Sequence, residues 1–132
     1  MKRIEHIGIA VKNLEASNLI FEKILRKKHY KTEEVVLEGV KTSFFKIGDS
    51  KIELLEATTE ESAITKFIEK RGEGLHHIAF EVADIKSEMK RLKEEGFTLL
   101  REEPHLGADN KLVCFLHPKD TNHVLIELCQ SI

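Results

Sequence analysis

The chain has 132 residues, 41% of them hydrophobic and 33% charged, with a formal net charge of −2. That length suits one domain with a sizeable core, and the composition excludes a disordered chain. Lysine and glutamate are interspersed without a basic block or an aromatic-plus-basic stripe, which argues against nucleic acid, and no apolar run approaches the roughly 18 residues of a membrane span.

In chain order, residues 3–11 alternate toward Ile7, Ile9 and Val11 and predict a strand. Asn13 is a suitable N-cap for a helix carrying Ala16, Ile20, Phe21, Ile24 and Leu25 on one side, fading near Lys27 and Lys28. Strands follow at about 29–38, 40–47 and 50–57, broken by Gly39 and turned at Gly48-Asp49. Thr58 to Glu61 has the form of a capping box, opening a linking helix to about Arg71 with Ile64, Phe67 and Ile68 as its apolar face. Gly72-Glu73-Gly74 ends that helix.

The plan then repeats. A strand at 75–82 leads to Asp84, an N-cap, and to a helix with Ile85, Met89 and Leu92 on one face, stopped by Gly96. Strands at about 97–103, 111–117 and 123–129 complete the copy, with Pro104 and Pro118 between strands. The expected fold is therefore α+β: one domain over 1–132 made of two tandem β-α-β-β-β modules, about 1–57 and 74–132, joined by a linking helix at about 58–73.

The repeat also carries chemistry. His6-Ile7-Gly8-Ile9-Ala10-Val11 matches His77-Ile78-Ala79-Phe80-Glu81-Val82, and Ile52-Glu53-Leu54-Leu55 matches Ile126-Glu127-Leu128-Cys129. Side chains alternate across a strand, so His6 and His77 oppose the apolar residues that pack on a helix, and Glu53 and Glu127 oppose Ile52, Leu54, Ile126 and Leu128. Burying an unpaired carboxylate is costly, and a cation removes that cost. One His and one Glu per copy make a set of two imidazoles and two carboxylates, which suits Zn, Co, Ni, Mn or Fe(II) and leaves open positions on an octahedral ion. The other reading is structural, with these groups solvated or paired.

Further motifs are Lys-Ile-Glu-Leu-Leu-Glu at 51–56, Gly-Glu-Gly-Leu-His-His-Ile-Ala-Phe-Glu-Val at 72–82, Glu-Glu-Pro-His-Leu-Gly at 102–107, His-Pro-Lys-Asp at 117–120 and Val-Leu-Ile-Glu-Leu at 124–128. With these the chain resembles the vicinal-oxygen-chelate superfamily of glyoxalases, extradiol dioxygenases and antibiotic-resistance proteins. Within that superfamily it is most similar to the methylmalonyl-CoA epimerases, over essentially its whole length. The resemblance implies a curved mixed sheet around a central cleft and one divalent ion (Co, Mn, Zn or Ni) on His6, Glu53, His77 and Glu127. It also implies a CoA thioester substrate inverted at C2 by proton abstraction and return, with Glu127 as acid/base, and a homodimer. Some members of the family place a second base at the position of Thr42, a role threonine does not fill unaided at neutral pH. The glycines that often precede Val-Leu-Ile-Glu are replaced by Asn122 and His123. A glyoxalase I-like isomerase acting on a thiol hemithioacetal, or a non-enzymatic binding protein of the same fold, is the alternative.

Among the remaining residues, Lys119 and His117 are candidates for substrate contact, since an ammonium suits a CoA phosphate or the substrate carboxylate. His76 reads as structural, and His29, His105 and His123 as exposed loop or edge residues. Cys114 and Cys129 lack metal or redox spacing and read as buried free thiols. Together with a beginning that enters a strand pattern rather than resembling a signal peptide, they point to the cytoplasm.

Overall fold

The structure, a computed structural model, describes residues 1–132 and divides into two compact units, residues 7–76 and residues 1–6 with 77–132. Strand β1 (Arg3–Ala10) is shared, its residues up to His6 belonging to the later unit.

In residues 7–76 the strands run in the order β2 (Lys31–Val35), β3 (Val40–Ile47), β4 (Ser50–Ala57), β1. Gly48 and Asp49 make the two-residue turn between β3 and β4, with Ile47 opposite Ser50 and Gly48 at a φ of 57° that favours glycine. Between β2 and β3 the expected strand stops early, and a 3-10 turn over Val36–Glu38 leads to Gly39. Gly39 has a φ of 62°, and a Cβ there would stand 2.7 Å from Thr59 Oγ1, so strain and space both require glycine.

Helix α1 (Leu14–Leu25) starts where the cap predicts, with Asn13 accepting the Ala16 N–H at 2.9 Å. Its buried face differs from the expected one. Leu14, Phe21 and Leu25 pack on Val11, Phe45 and Leu54, while Ile20 and Ile24 are 54% and 66% exposed. Apolar residues cover more of this helix than one stripe can bury, so packing selected a face about a quarter turn from the expected one. Helix α2 (Ala63–Arg71) begins later than the capping box suggests. Ser62, not Thr58, caps it by accepting the Ile64 N–H, because the Thr58 N–H donates to the Gly39 carbonyl at 2.7 Å. Ile64, Phe67 and Ile68 pack on Val40 and Leu55 as expected.

The other unit repeats the order: β5 (Gly74–Glu81, entering at His77), β8 (Leu125–Ser131), β7 (Lys111–Leu116), β6 (His105–Gly107). β5 and β8 are parallel and the remaining pairs antiparallel, so the sheet is mixed. Helix α3 (Ile85–Glu94) is capped by Asp84, which accepts the Ser87 N–H, and its Ile85, Met89 and Leu92 pack on Cys114, Leu116 and Leu128. The strand expected at about 97–103 is absent as a ladder. Leu99 makes a single bridge to Leu116, and pairing resumes only at His105. Pro104 has no N–H to donate, and Arg101, Glu102 and Glu103 are exposed, so this stretch suits a solvated edge better than a ladder. No helix is long and apolar enough to cross a membrane.

Candidate functional site

In the unit of residues 1–6 and 77–132, register separates two kinds of surface. Ala79 and Phe115 lie opposite Glu127, and Val113 lies opposite Cys129, so these residues share a face with His77. Their strand neighbours Cys114, Leu116, Ile126 and Leu128 point the other way, toward α3. Alternation thus puts His77 and Glu127 on the helix-free face, as the sequence pattern requires.

His6, at the end of the part of β1 that belongs to this unit, joins them. Its Nε2 lies 3.0 Å from His77 Nε2 and 3.6 Å from Glu127 Oε2, and His77 Nε2 lies 3.3 Å from Glu127 Oε1. All three side chains are buried, and the imidazole rings stand at 88° to each other. Ligand atoms about 2.1 Å from one ion are separated by about 3.0 Å at right angles and about 3.4 Å in a tetrahedron, so this spacing fits a shared divalent cation. The 3.0 Å approach of two imidazole nitrogens requires a proton on one of them, and a metal takes the place of that proton.

Burial alone pushes the Glu127 carboxyl up. The charge and hydrogen bond of His6 and the charge of His77 outweigh burial, with Glu5 opposing them, and hold Glu127 below the usual carboxylate value. Glu127 is therefore ionised at neutral pH, the form that ligates a cation or accepts a proton.

Glu53 is buried on β4 of residues 7–76, opposite Phe44 in the β3–β4 register, while its neighbours Ile52 and Leu54 pack on the α1 side. Thr42 is fully buried in the same unit, and its hydroxyl donates to the Glu33 carbonyl at 3.3 Å. His117 accepts the Lys119 N–H on Nδ1 at 3.1 Å, capping a 3-10 turn at Pro118–Asp120, and the Lys119 side chain is exposed. His76 packs edge-on against Phe67, ring centroids 4.9 Å apart.

Two residues near the cluster were not singled out from the sequence. His105 is not an exposed edge residue. It is half-buried, its ring 6.4 Å from that of Phe115, which in turn meets His77 edge-on at 5.9 Å. Burial and the charge of Arg101 lower the His105 pKa against an upward pull from Glu127, so His105 is neutral near pH 7. His29, also expected to be exposed, is half-buried, with Nδ1 3.2 Å from the Glu22 carboxylate. Glu5 is the second residue: its Oε1 lies 2.8 Å from His6 Nδ1. Strand alternation points Glu5 and His6 to opposite sides, so no periodicity signalled this contact.

A sequence profile of the Glyoxalase/Bleomycin resistance protein/Dioxygenase superfamily matches residues 5–115. The chain is 42% identical over 130 residues to an ethylmalonyl-CoA/methylmalonyl-CoA epimerase of Cereibacter sphaeroides, covering 97% of each chain. It is 37% identical to the mitochondrial methylmalonyl-CoA epimerase of Homo sapiens, covering 98% of this chain and 74% of that one. The solved structure of a variant Streptomyces coelicolor methylmalonyl-CoA epimerase in complex with 2-nitronate-propionyl-CoA superposes with a TM-score of 0.96 at 38% identity, covering 99% of this chain and 95% of that one.

Proposed function

Because the chain belongs to the glyoxalase, bleomycin resistance protein and dioxygenase superfamily, we propose that it is a metal-dependent methylmalonyl-CoA epimerase. It interconverts the C2 stereoisomers of that thioester by removing and returning one proton. The observation that carries this reading is the buried His6, His77 and Glu127 cluster in a chain that matches enzymes named for this reaction along its full length.

C2 lies between a thioester carbonyl and a carboxylate, so loss of its proton leaves an enolate whose charge sits on oxygen. His6, His77 and Glu127, with Glu53 as fourth ligand, would hold a Co, Mn, Zn or Ni ion that supplies Lewis acidity toward that charge. Glu127, ionised among the imidazoles, takes the proton from one face of C2 in one direction of the reaction and delivers a proton to that face in the other. Thr42 holds the position where some members of the family carry a second base, and its hydroxyl is already committed to the Glu33 carbonyl. This reading therefore assigns the second face to a water or to another side chain. The exposed Lys119 is the candidate for the CoA phosphates, whereas the capping bond of His117 supports a structural role for that ring. The buried free thiols Cys114 and Cys129 support a reducing compartment, the cytoplasm, and the exposed Leu19, Ile20 and Ile24 on α1 support a homodimer, checked by light scattering.

The test is proton NMR of methylmalonyl-CoA in deuterated water with added Co(II) or Mn(II), and again with a chelator. The expected result is metal-dependent loss of the C2 proton signal, with exchange in Glu127→Gln slowed about 10²-fold or more even where metal remains bound. No exchange by a metal-loaded wild type would move the assignment to a glyoxalase-type isomerase.

A further inference from the structure

Glu5 is 1% exposed, next in sequence to a candidate metal ligand and not itself part of the cluster. A carboxylate so deeply buried is costly unless it is paired. Two groups meet it. Oε1 lies 2.8 Å from Nδ1 of His6, and Oε2 lies 3.6 Å from Nη2 of Arg3. Arg3 is anchored in turn, its Nε and Nη2 donating to the Glu81 carboxylate at 3.1 and 3.3 Å. The order is thus carboxylate, guanidinium, carboxylate, imidazole, and it ends at the Nε2 that faces His77 and Glu127.

The chemistry of an imidazole decides what this arrangement does. A neutral ring carries one proton, and only the bare nitrogen ligates a metal. Nε2 of His6 faces the cluster, so ligation there requires the proton on Nδ1. A carboxylate oxygen 2.8 Å from Nδ1 is an acceptor that holds the proton in that place and fixes the ring plane.

We propose that Glu5 is a positioning residue: it accepts the Nδ1–H of His6 and aims the Nε2 lone pair of that ring at His77 and Glu127, with Arg3 and Glu81 holding Glu5 in place. This assignment rests on the metal-site reading above and adds a residue outside its ligand set. A purely structural ion pair between Arg3 and Glu5 would stabilise the fold without setting the tautomer of His6.

The two roles separate in long-range ¹H–¹⁵N NMR of the histidine rings at pH 8, on the metal-free and the Zn(II)-loaded protein, alongside Co(II) titration against a competing chelator. In the wild type, His6 should appear with its proton on Nδ1 in both forms. An Nε2–H tautomer for His6 in the metal-free protein at pH 8, or an Nδ1-bound Zn(II), overturns the proposal without any variant. Glu5→Ala should lose the Nδ1–H signature and weaken Co(II) binding about 10–100-fold. Glu5→Gln keeps an acceptor oxygen at the same length, so it should retain the signature and recover most of the affinity. Unchanged tautomer and affinity in a folded Glu5→Ala also overturn it, and if that variant does not fold, Glu5→Gln with an altered tautomer does so. Failure of the epimerase reading shows differently: Co(II) binding that depends on Glu5, with no exchange at C2, leaves the positioning role intact and removes only the reaction.

Discussion

In residues 7–76, helices cover both sheet faces: α1 packs on Phe45 and Leu54, and α2 packs on Val40 and Leu55. In residues 1–6 and 77–132, which repeat the strand order, α3 covers only the face with Cys114, Leu116 and Leu128. The opposite face holds His77, Glu127 and the small side chains Ala79 and Cys129, and His6 comes to it. Two copies of one supersecondary plan have diverged in what they bury. One covers part of its second face with a linking helix and apolar packing, beside the buried Thr42 and Glu53, and the other keeps that face for titratable groups. Thr42 and Glu127 show the contrast at single positions. The Thr42 hydroxyl is absorbed by a neighbouring strand's carbonyl, whereas the Glu127 carboxylate is ringed by imidazoles.

The largest test of this contrast is His77→Ala, which should abolish stoichiometric metal binding and lower C2 exchange about 10³-fold or more, read by metal analysis and NMR. Full activity in that variant would remove the metal centre from the picture. Glu53→Ala probes whether residues 7–76 contribute chemistry at all. With Glu53 the proposed fourth ligand, its loss should weaken Co(II) affinity by at least about tenfold, and unchanged affinity would leave the ligand set to the other unit.

Thr42→Val keeps the shape and removes the hydroxyl. It should cost about 1 kcal/mol in denaturant unfolding while leaving exchange near the wild-type rate. A drop in exchange of about tenfold at unchanged metal content would instead make Thr42 part of the proton path. The smallest effect is expected at His123, which with Asn122 adopts a positive φ, 65° and 56°, a conformation that favours glycine. His123→Gly relieves left-handed strain of about 1 kcal/mol and loses part of that to the freer unfolded chain, for a net gain near 0.5 kcal/mol. A lower melting temperature would show that the imidazole makes a contact worth more than the strain.

The hairpin at Gly48-Asp49, the caps at Asn13 and Asp84 and the apolar face of α3 were all legible in local pattern. Each depends on neighbours a few residues apart. The same holds for the placement of His77 and Glu127, because a strand's period of two leaves a side chain only two directions. The repeat of His and Glu in each half pointed to a shared cluster, of which the structure brings His6, His77 and Glu127 together, and the apolar face opposite them supplied the direction.

Where several local solutions were equally good, tertiary packing chose. Helix α1 offers more apolar surface than one face can bury, so its rotation was set by Phe45 and Leu54 rather than by its own periodicity. The start of α2 moved from Thr58 to Ser62 because the Thr58 amide was needed by Gly39, a partner nineteen residues earlier. The edge segment at 97–103 has strand composition but only a single bridge to β7, and the burial of His105 depends on pairing with Val113. The contact of Glu5 with His6 runs against strand alternation and appears only once β1 has its path in space. Periodicity reports which side of an element is apolar; which partner meets that side, and which polar atom finds which other, is settled by packing between residues distant in the chain.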